Sequence, residues 1–102
     1  MSDTRAFREA AIRTATEGPA TSSCDERRAA FDNRIADVAE PARAVLANVV
    51  AKPTDVTDAD VRDAAAALGD DRVFELVVCA ALGEASRQLD AAIAVLDEAG
   101  VK

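Results

Sequence analysis

The chain has 102 residues, a net charge of −7 at neutral pH and a sequence pI of about 4.5. This length fits one domain with a real core, and half of the residues are apolar although only three, all phenylalanine, are aromatic. The acidic balance repels phosphate backbones, and no Trp or Tyr is present to stack on bases, so we expect no nucleic-acid partner.

The N-terminal half gives weaker signals than the C-terminal half, but they predict the ends of two helices. Asp3 caps the first helix, which runs to about Thr16 and is broken by Gly18-Pro19. Pro41 lies in the first turn of a later helix, which ends at Lys52-Pro53 because the residue before a proline is pushed out of the α region. Apolar residues of this later helix predict a core-facing stripe of Ala42, Val45, Leu46, Val49 and Val50.

Between these two, another helix is predicted from about Cys24 to Ala39. Ser22 or Ser23 caps it, since a serine hydroxyl accepts from the free N–H groups of a first turn. One narrow apolar stripe follows this helix and consists of Phe31, Ile35 and Val38. The stripe needs a partner to cover it, so we expect copies of the chain to associate through it.

The C-terminal half predicts a short helix, a glycine turn and one long helix. Thr57 caps the short helix, whose first turn is acidic, and Gly69 ends it. Asp70 caps the long helix, which runs to about Ala99 and is apolar on nearly every side in its first part, as a core helix is. Gly83 inside this helix indicates close backbone packing or a kink.

The predicted fold is all-α, a compact bundle of about five helices with a long central C-terminal helix. We expect a single helical domain over residues 1–102, with the N-terminal helices in 1–52 and the helical pair in 53–102. No apolar run approaches the roughly 20 residues of a membrane span, and the charges of the N-terminus alternate, unlike those of a signal peptide. We therefore expect a cytoplasmic protein that does not bind membranes.

Histidine is absent, so a Ser-His or Cys-His nucleophile pair is impossible within one chain. The carboxylates, arginines and two thiols remain as candidates. Glu75 lies between Phe74 and Leu76, and one interpretation is that partial burial raises its pKa and suits it to acid–base catalysis. The alternative is that this first-turn glutamate only favours the positive end of the helix dipole.

A charged group lies farther along the long helix. Arg87 is three residues from both Glu84 and Asp90, so its guanidinium can reach two carboxylates. One interpretation is an ion-pair network that fixes helix register or an intermolecular contact. The other is an anion-binding site in a helix-lined cleft, in which Arg87 and Glu84 are the ligand-binding residues.

The two cysteines show none of the short spacings of zinc or dithiol sites, and we expect no metal and no cofactor. Cys79 is predicted to be a buried small apolar residue. Cys24 follows a helix cap; Arg27 and Arg28 favour its thiolate, and the two acidic residues between oppose it. A Cys24–Cys79 redox pair needs Cα atoms within about 7 Å, for which the sequence gives no support. In a cytosolic chain both thiols are normally reduced.

One segment resembles a known family. The run VTDADVRDAAAALGDDRVFELVVCAALGEASRQLDAA is similar to the C-terminal two-helix segment of alkylhydroperoxidase-like and carboxymuconolactone decarboxylase-like proteins, in which a Thr-x-x-Asp-Val helix start and a glycine turn lead into a long helix. It covers about 40 of the 102 residues. The matching positions are Thr57, Asp60, Val61, Gly69, Glu75 and Arg87.

Redox-active members of that family carry Cys-x-x-Cys followed by a histidine, and this chain has neither. The resemblance therefore implies a helical fold that assembles through its helices, without dithiol peroxidase activity. Our first hypothesis is a non-catalytic or accessory protein that acts as a homo-oligomer or as a partner subunit of a related helical protein. The alternative is a decarboxylase or lactone-type enzyme that uses Glu75 as acid–base and Arg87 to hold a small carboxylate substrate.

Overall fold

Five α-helices and two short 3-10 helices form the part of the chain that the structure, a computed structural model, describes: residues 2–100, with side chains from residue 5 onward. The all-α fold predicted from the sequence is confirmed. The α-helices are α1 (Ser2–Glu17), α2 (Cys24–Phe31), α3 (Ala42–Ala51), α4 (Asp58–Leu68) and α5 (Asp70–Glu98), and the 3-10 helices are Ile35–Asp37 and Pro53–Asp55.

The long helix α5 is the central element of the fold. Its 29 residues make it about 43 Å long, and the other four α-helices all pack against it. The largest fully buried side chains include Leu76 of α5 and Leu46 and Val45 of α3. From residue 87 to residue 100 every residue is exposed. The N-terminal part of α5 is therefore in the core along one side, as predicted, but Phe74 and Val78 are exposed, so the expected burial on nearly every side is wrong. The C-terminal part of α5 has a large solvent-exposed surface.

The predicted helix from Cys24 to Ala39 is wrong in its second half. Helix α2 ends at Phe31, where Asn33 takes a left-handed conformation with φ of 60°. The N–H groups of Asn33 and Arg34 donate to the carbonyls of Ala30 and Ala29 at 3.2 and 2.8 Å. This is a Schellman termination, with asparagine in the position that glycine usually occupies.

Because the helix ends there, the stripe predicted to drive association does not exist as one helix face. Val38 is 1% exposed and belongs to the core, and Phe31 and Ile35 pack against that core from the side. The association surface predicted from these three residues is therefore wrong.

Helix ends in the C-terminal half agree closely with the sequence. Thr57 and Asp60 form a reciprocal capping box at the start of α4. Gly69 has a φ of 89° and is the C-cap of α4 and the N-cap of α5 at the same time. The predicted cap at Asp70 is thus off by one residue, since Asp70 lies inside the first turn. Likewise α1 begins at Ser2, so Asp3 lies within that helix and does not precede it.

Gly83 allows α2 to approach α5 closely. A Cβ atom at Gly83 would lie 2.0 Å from the carbonyl oxygen of Phe31, a backbone atom that cannot rotate away. The expectation of close backbone packing at this glycine is confirmed. It brings the C-terminal end of α2 directly onto the middle of α5.

Candidate functional site

Glu75 is bound to the loop that connects α1 and α2. Its two carboxylate oxygens accept from the backbone N–H groups of Thr21 and Ser22 at 3.0 and 2.8 Å, and from the Ser22 hydroxyl at 2.7 Å. Three donors therefore converge on one half-buried carboxylate. These hydrogen bonds stabilise the loop that separates α1 from α2.

The direction of the Glu75 pKa differs from the sequence-based expectation. Burial acts to raise the pKa of Glu75, but the hydrogen bonds from Ser22 and Thr21 and the charge of Arg27 outweigh burial and hold the pKa below its usual value. Of the two interpretations of Glu75, the one that raises its pKa is therefore wrong. The hydrogen bonds around Glu75 therefore favour its ionised carboxylate form.

A buried arginine lies next to both thiols. Arg27 is 3% exposed; it donates to the carbonyl oxygen of Ala15 at 3.0 Å and to the Cys24 sulfur at 3.4 Å, while its Nε has no partner. The Cys79 thiol donates to the same Ala15 oxygen at 3.4 Å, and burial raises the pKa of this thiol. Cys79 is buried, as predicted, and Cys24 is exposed; both are free cysteines.

Arg87 forms only part of the network that the sequence predicts. It donates to Glu84 at 3.1 Å, which confirms that pair, and to the carbonyl oxygen of Phe31 at 2.7 Å. Asp90 instead accepts from Arg8 of α1 at 2.8 Å, and the same arginine nitrogen reaches the Ser86 hydroxyl. The predicted bridge from Arg87 to two carboxylates is therefore wrong, since α1 supplies the cation for Asp90.

The structure does not bring the candidate catalytic and binding residues together. Glu75 and Arg87 are 12 positions apart on one continuous helix, which separates them by about 18 Å along its axis. Glu75 faces the α1–α2 loop, whereas Arg87 reaches the end of α2 at Phe31. A small carboxylate cannot touch both side chains at once.

A polar cleft with a volume of about 810 Å³ lies beside α2. Arg72 forms a bidentate ion pair with Glu26 there, in which both hydrogen bonds are 2.8 Å long. This ion pair holds the pKa of Glu26 below its usual range. Arg28 and Arg34 line the same cleft and both pair with Asp32, and Arg34 also pairs with Asp37 at 3.0 Å. The arginines of the cleft are thus neutralised by carboxylates of this chain. Sequence reasoning missed the Arg72–Glu26 pair because the two residues are 46 positions apart.

An apolar groove of about 320 Å³ lies where α3 and α4 meet the first turns of α5. Val49 of α3, Val61 of α4 and Val77 of α5 are among its walls. Phe74 lies at its edge with 69% of its surface exposed. An aromatic ring that remains in solvent beside an apolar groove is typical of a surface that another molecule covers.

The apolar surface continues along the side of α5 that faces away from the core. We call this side the outer face and define it as Val78, Leu82, Ala85, Leu89, Ala92 and Leu96. All of these residues are exposed except Leu82, which is half-buried; Val78, Leu89 and Leu96 keep 39%, 45% and 49% of their surface in solvent. The sequence analysis predicted a core helix for the first part of α5 and did not identify this face, although the regular spacing of its leucines is visible in the sequence.

None of the helices in the described part of the chain is both long and apolar enough to cross a bilayer. In the same part, no three His, Cys, Asp or Glu side chains are grouped to hold a metal ion. No family model, curated protein or solved structure matches the chain. The surfaces described above are therefore the basis for a functional proposal.

Proposed function

We propose that this protein is a non-catalytic, accessory helical protein that acts by associating with other helices, in the first place with copies of itself. The observation that supports the proposal best is the outer face of α5, on which Leu89 and Leu96 remain about half exposed. Single exposed apolar residues are normal on a protein surface, but a contiguous row of them is typical of an interface.

The polar side chains support the same proposal. Glu75 and Arg87 belong to two separate hydrogen-bond networks, and each network joins α5 to another part of the fold. Their hydrogen-bond partners belong to this chain, so both residues have a structural role that needs no substrate. A relationship to carboxymuconolactone decarboxylase-like proteins also remains a proposal; the capping box at Thr57 and the turn at Gly69 are consistent with it. Free thiols at both cysteines are consistent with action in the cytoplasm.

Sedimentation equilibrium on the full chain at micromolar concentration tests the proposal. We expect a dimer or a larger species, because exposed apolar helix surface is buried between chains when they associate. The apparent mass should fall on dilution, as mass action requires. A clean monomer at every concentration up to about 100 µM would contradict the proposal.

A further inference from the structure

The outer face of α5 has a seven-residue period. Leu82, Leu89 and Leu96 follow one another at intervals of seven positions. Smaller residues alternate with these leucines. Ala85 and Ala92 come three positions after Leu82 and Leu89, and Val78 comes four positions before Leu82. This alternation of three- and four-residue steps is the heptad pattern of a coiled coil, with leucine at the a positions and small residues at the d positions.

Charged residues of α5 avoid this face. Beyond Val78 the helix contains five charged side chains, and all of them lie at heptad positions b, c or f: Glu84, Arg87, Asp90, Asp97 and Glu98. The e and g positions that flank the leucines are neutral, with Ser86 and Gln88 as the only polar members. A second chain of the same −7 charge therefore meets no charged side chain of α5 on the outer face. Arg8 of α1 lies at the edge of this face against Ser86, and its charge is paired with Asp90.

The inner side of α5 is already occupied by the rest of the fold. Leu76 and Ala80 are fully buried there, and Gly83 touches the backbone of α2. The heptad pattern thus runs along the side that the described part of the chain leaves open. This is the arrangement expected of a helix that packs into its own domain on one side and onto another helix on the other.

We propose that the outer face of α5 pairs with the same face of a second copy as a two-fold symmetric, antiparallel coiled coil. The inference rests on the proposed function, and it adds the surface, the partner and the orientation. In an antiparallel pair, a positions of one helix face d positions of the other. Each leucine then meets a smaller side chain: Leu82 faces Ala92, Leu89 faces Ala85 and Leu96 faces Val78 of the second copy.

Large residues opposite small ones interdigitate and let the two helices approach closely. A parallel pair would instead place leucine against leucine and alanine against alanine, so that its layers alternate between wide and narrow. The antiparallel arrangement also closes on itself, because the two copies contribute identical surfaces related by a two-fold axis. The axis passes at the level of Arg87, midway between each facing pair.

A matched pair of charge substitutions tests the surface. Leu89→Glu places a charge in the centre of the outer face, whereas Ala91→Glu adds the same charge at an exposed c position two residues away. In sedimentation equilibrium we expect Leu89→Glu to be a monomer and Ala91→Glu to remain a dimer like the wild type. Far-UV circular dichroism should show unchanged helix content in both, because neither site is buried. If Leu89→Glu lowers the helix content, Leu96→Glu, at the next a position, replaces it and is expected to be a monomer.

Disulfide cross-linking tests the orientation in a Cys24→Ser background, with that background alone as the control. Leu82→Cys and Ala92→Cys are prepared as separate proteins, mixed and oxidised. An antiparallel pair brings residue 82 of one copy next to residue 92 of the other, within the roughly 7 Å between Cα atoms that a disulfide spans. Identical cysteines are offset by 10 residues, about 15 Å along the axis. We therefore expect cross-linked dimer in the mixture only.

The outcomes separate the two proposals. A wild-type monomer would contradict both of them. If Leu89→Glu, or its replacement Leu96→Glu, remains a dimer, this inference is overturned. The proposed function would then depend on another surface of the protein. Rapid cross-linking of Ala92→Cys alone would overturn the antiparallel orientation.

Discussion

The inner and outer faces of α5 are both apolar, but within the described residues only the inner face is covered by other parts of the chain. On the inner face, Leu76, Ala80 and Gly83 are buried against α2 and α3, and the absence of a side chain at Gly83 is necessary for that contact. On the outer face, Leu89 and Leu96 recur at a regular interval and remain exposed. Apolar content alone therefore does not indicate what a helix packs against. The size of the apolar residues and the positions of the charged ones indicate what each face packs against.

The largest expected difference between the two faces is measured by one pair of truncations. Leu76→Ala removes a fully buried side chain from the core and should lower the free energy of unfolding by about 2–5 kcal/mol. Leu89→Ala, on the outer face, should cost less than about 1 kcal/mol in dilute solution, where the chain is a monomer. Urea denaturation at two protein concentrations checks both values. Equal losses for both variants in dilute solution would show that the outer face is covered within the single chain.

Gly83→Ala should give an intermediate effect. Alanine has a higher helix propensity than glycine by about 1 kcal/mol, so Gly83→Ala would stabilise the protein if helix propensity alone mattered. The added Cβ instead meets the Phe31 carbonyl oxygen, and we expect a net loss of about 1–3 kcal/mol.

Thermal melting of Gly83→Ala checks this expectation, and Ala94→Val, which adds apolar volume at an exposed position of α5 outside the outer face, is the control. The control should melt within a few degrees of the wild type. A stabilised Gly83→Ala would mean that α2 and α5 have room to separate at this point.

The smallest effect concerns Glu75, which joins the inner side of α5 to the α1–α2 loop. Because its pKa in the folded state lies below that in the unfolded chain, its contribution to stability is complete above the unfolded value, about pH 4.5, and is lost as the pH falls through the folded value. Glu75→Gln should lower the free energy of unfolding by about 1 kcal/mol at pH 7, because the amide NH2 of glutamine then faces N–H donors. This value is at the low end for a hydrogen bond to a charged group, since the site is partly hydrated.

Melting curves between about pH 7 and pH 3 measure this contribution. The difference between wild type and Glu75→Gln should shrink on acidification. A constant difference would show that the charge of Glu75 does not matter for stability.

Local signals in the sequence were sufficient for most of the fold. The cap at Thr57 and the break at Gly18-Pro19 depend on residues near one another in the chain, and both were predicted. Gly83 was interpreted as a site of close packing or a kink, and only the fold shows that it meets the backbone of Phe31. The end of α2 was missed because Asn33 adopts the left-handed conformation less often than glycine does, so it is a weaker helix-stop signal.

The polar contacts were harder to predict, since they depend on tertiary structure. Arg8 rather than Arg87 pairs with Asp90, although Arg8 is 82 positions away in the chain. Similarly, the three donors to Glu75 come from a loop more than 50 positions earlier, and only the fold brings them together. Spacing within one helix shows which side chains are able to meet, but it does not show which competing partner another helix supplies.

Gly69 has a consequence for the apolar groove. A single residue separates α4 from α5, so the angle between the two helices depends on the φ of 89° and ψ of 149° at this position. One wall of the groove belongs to α4 and another to α5. The backbone conformation of Gly69 thus sets the angle between two walls of the groove, although Gly69 itself does not line it.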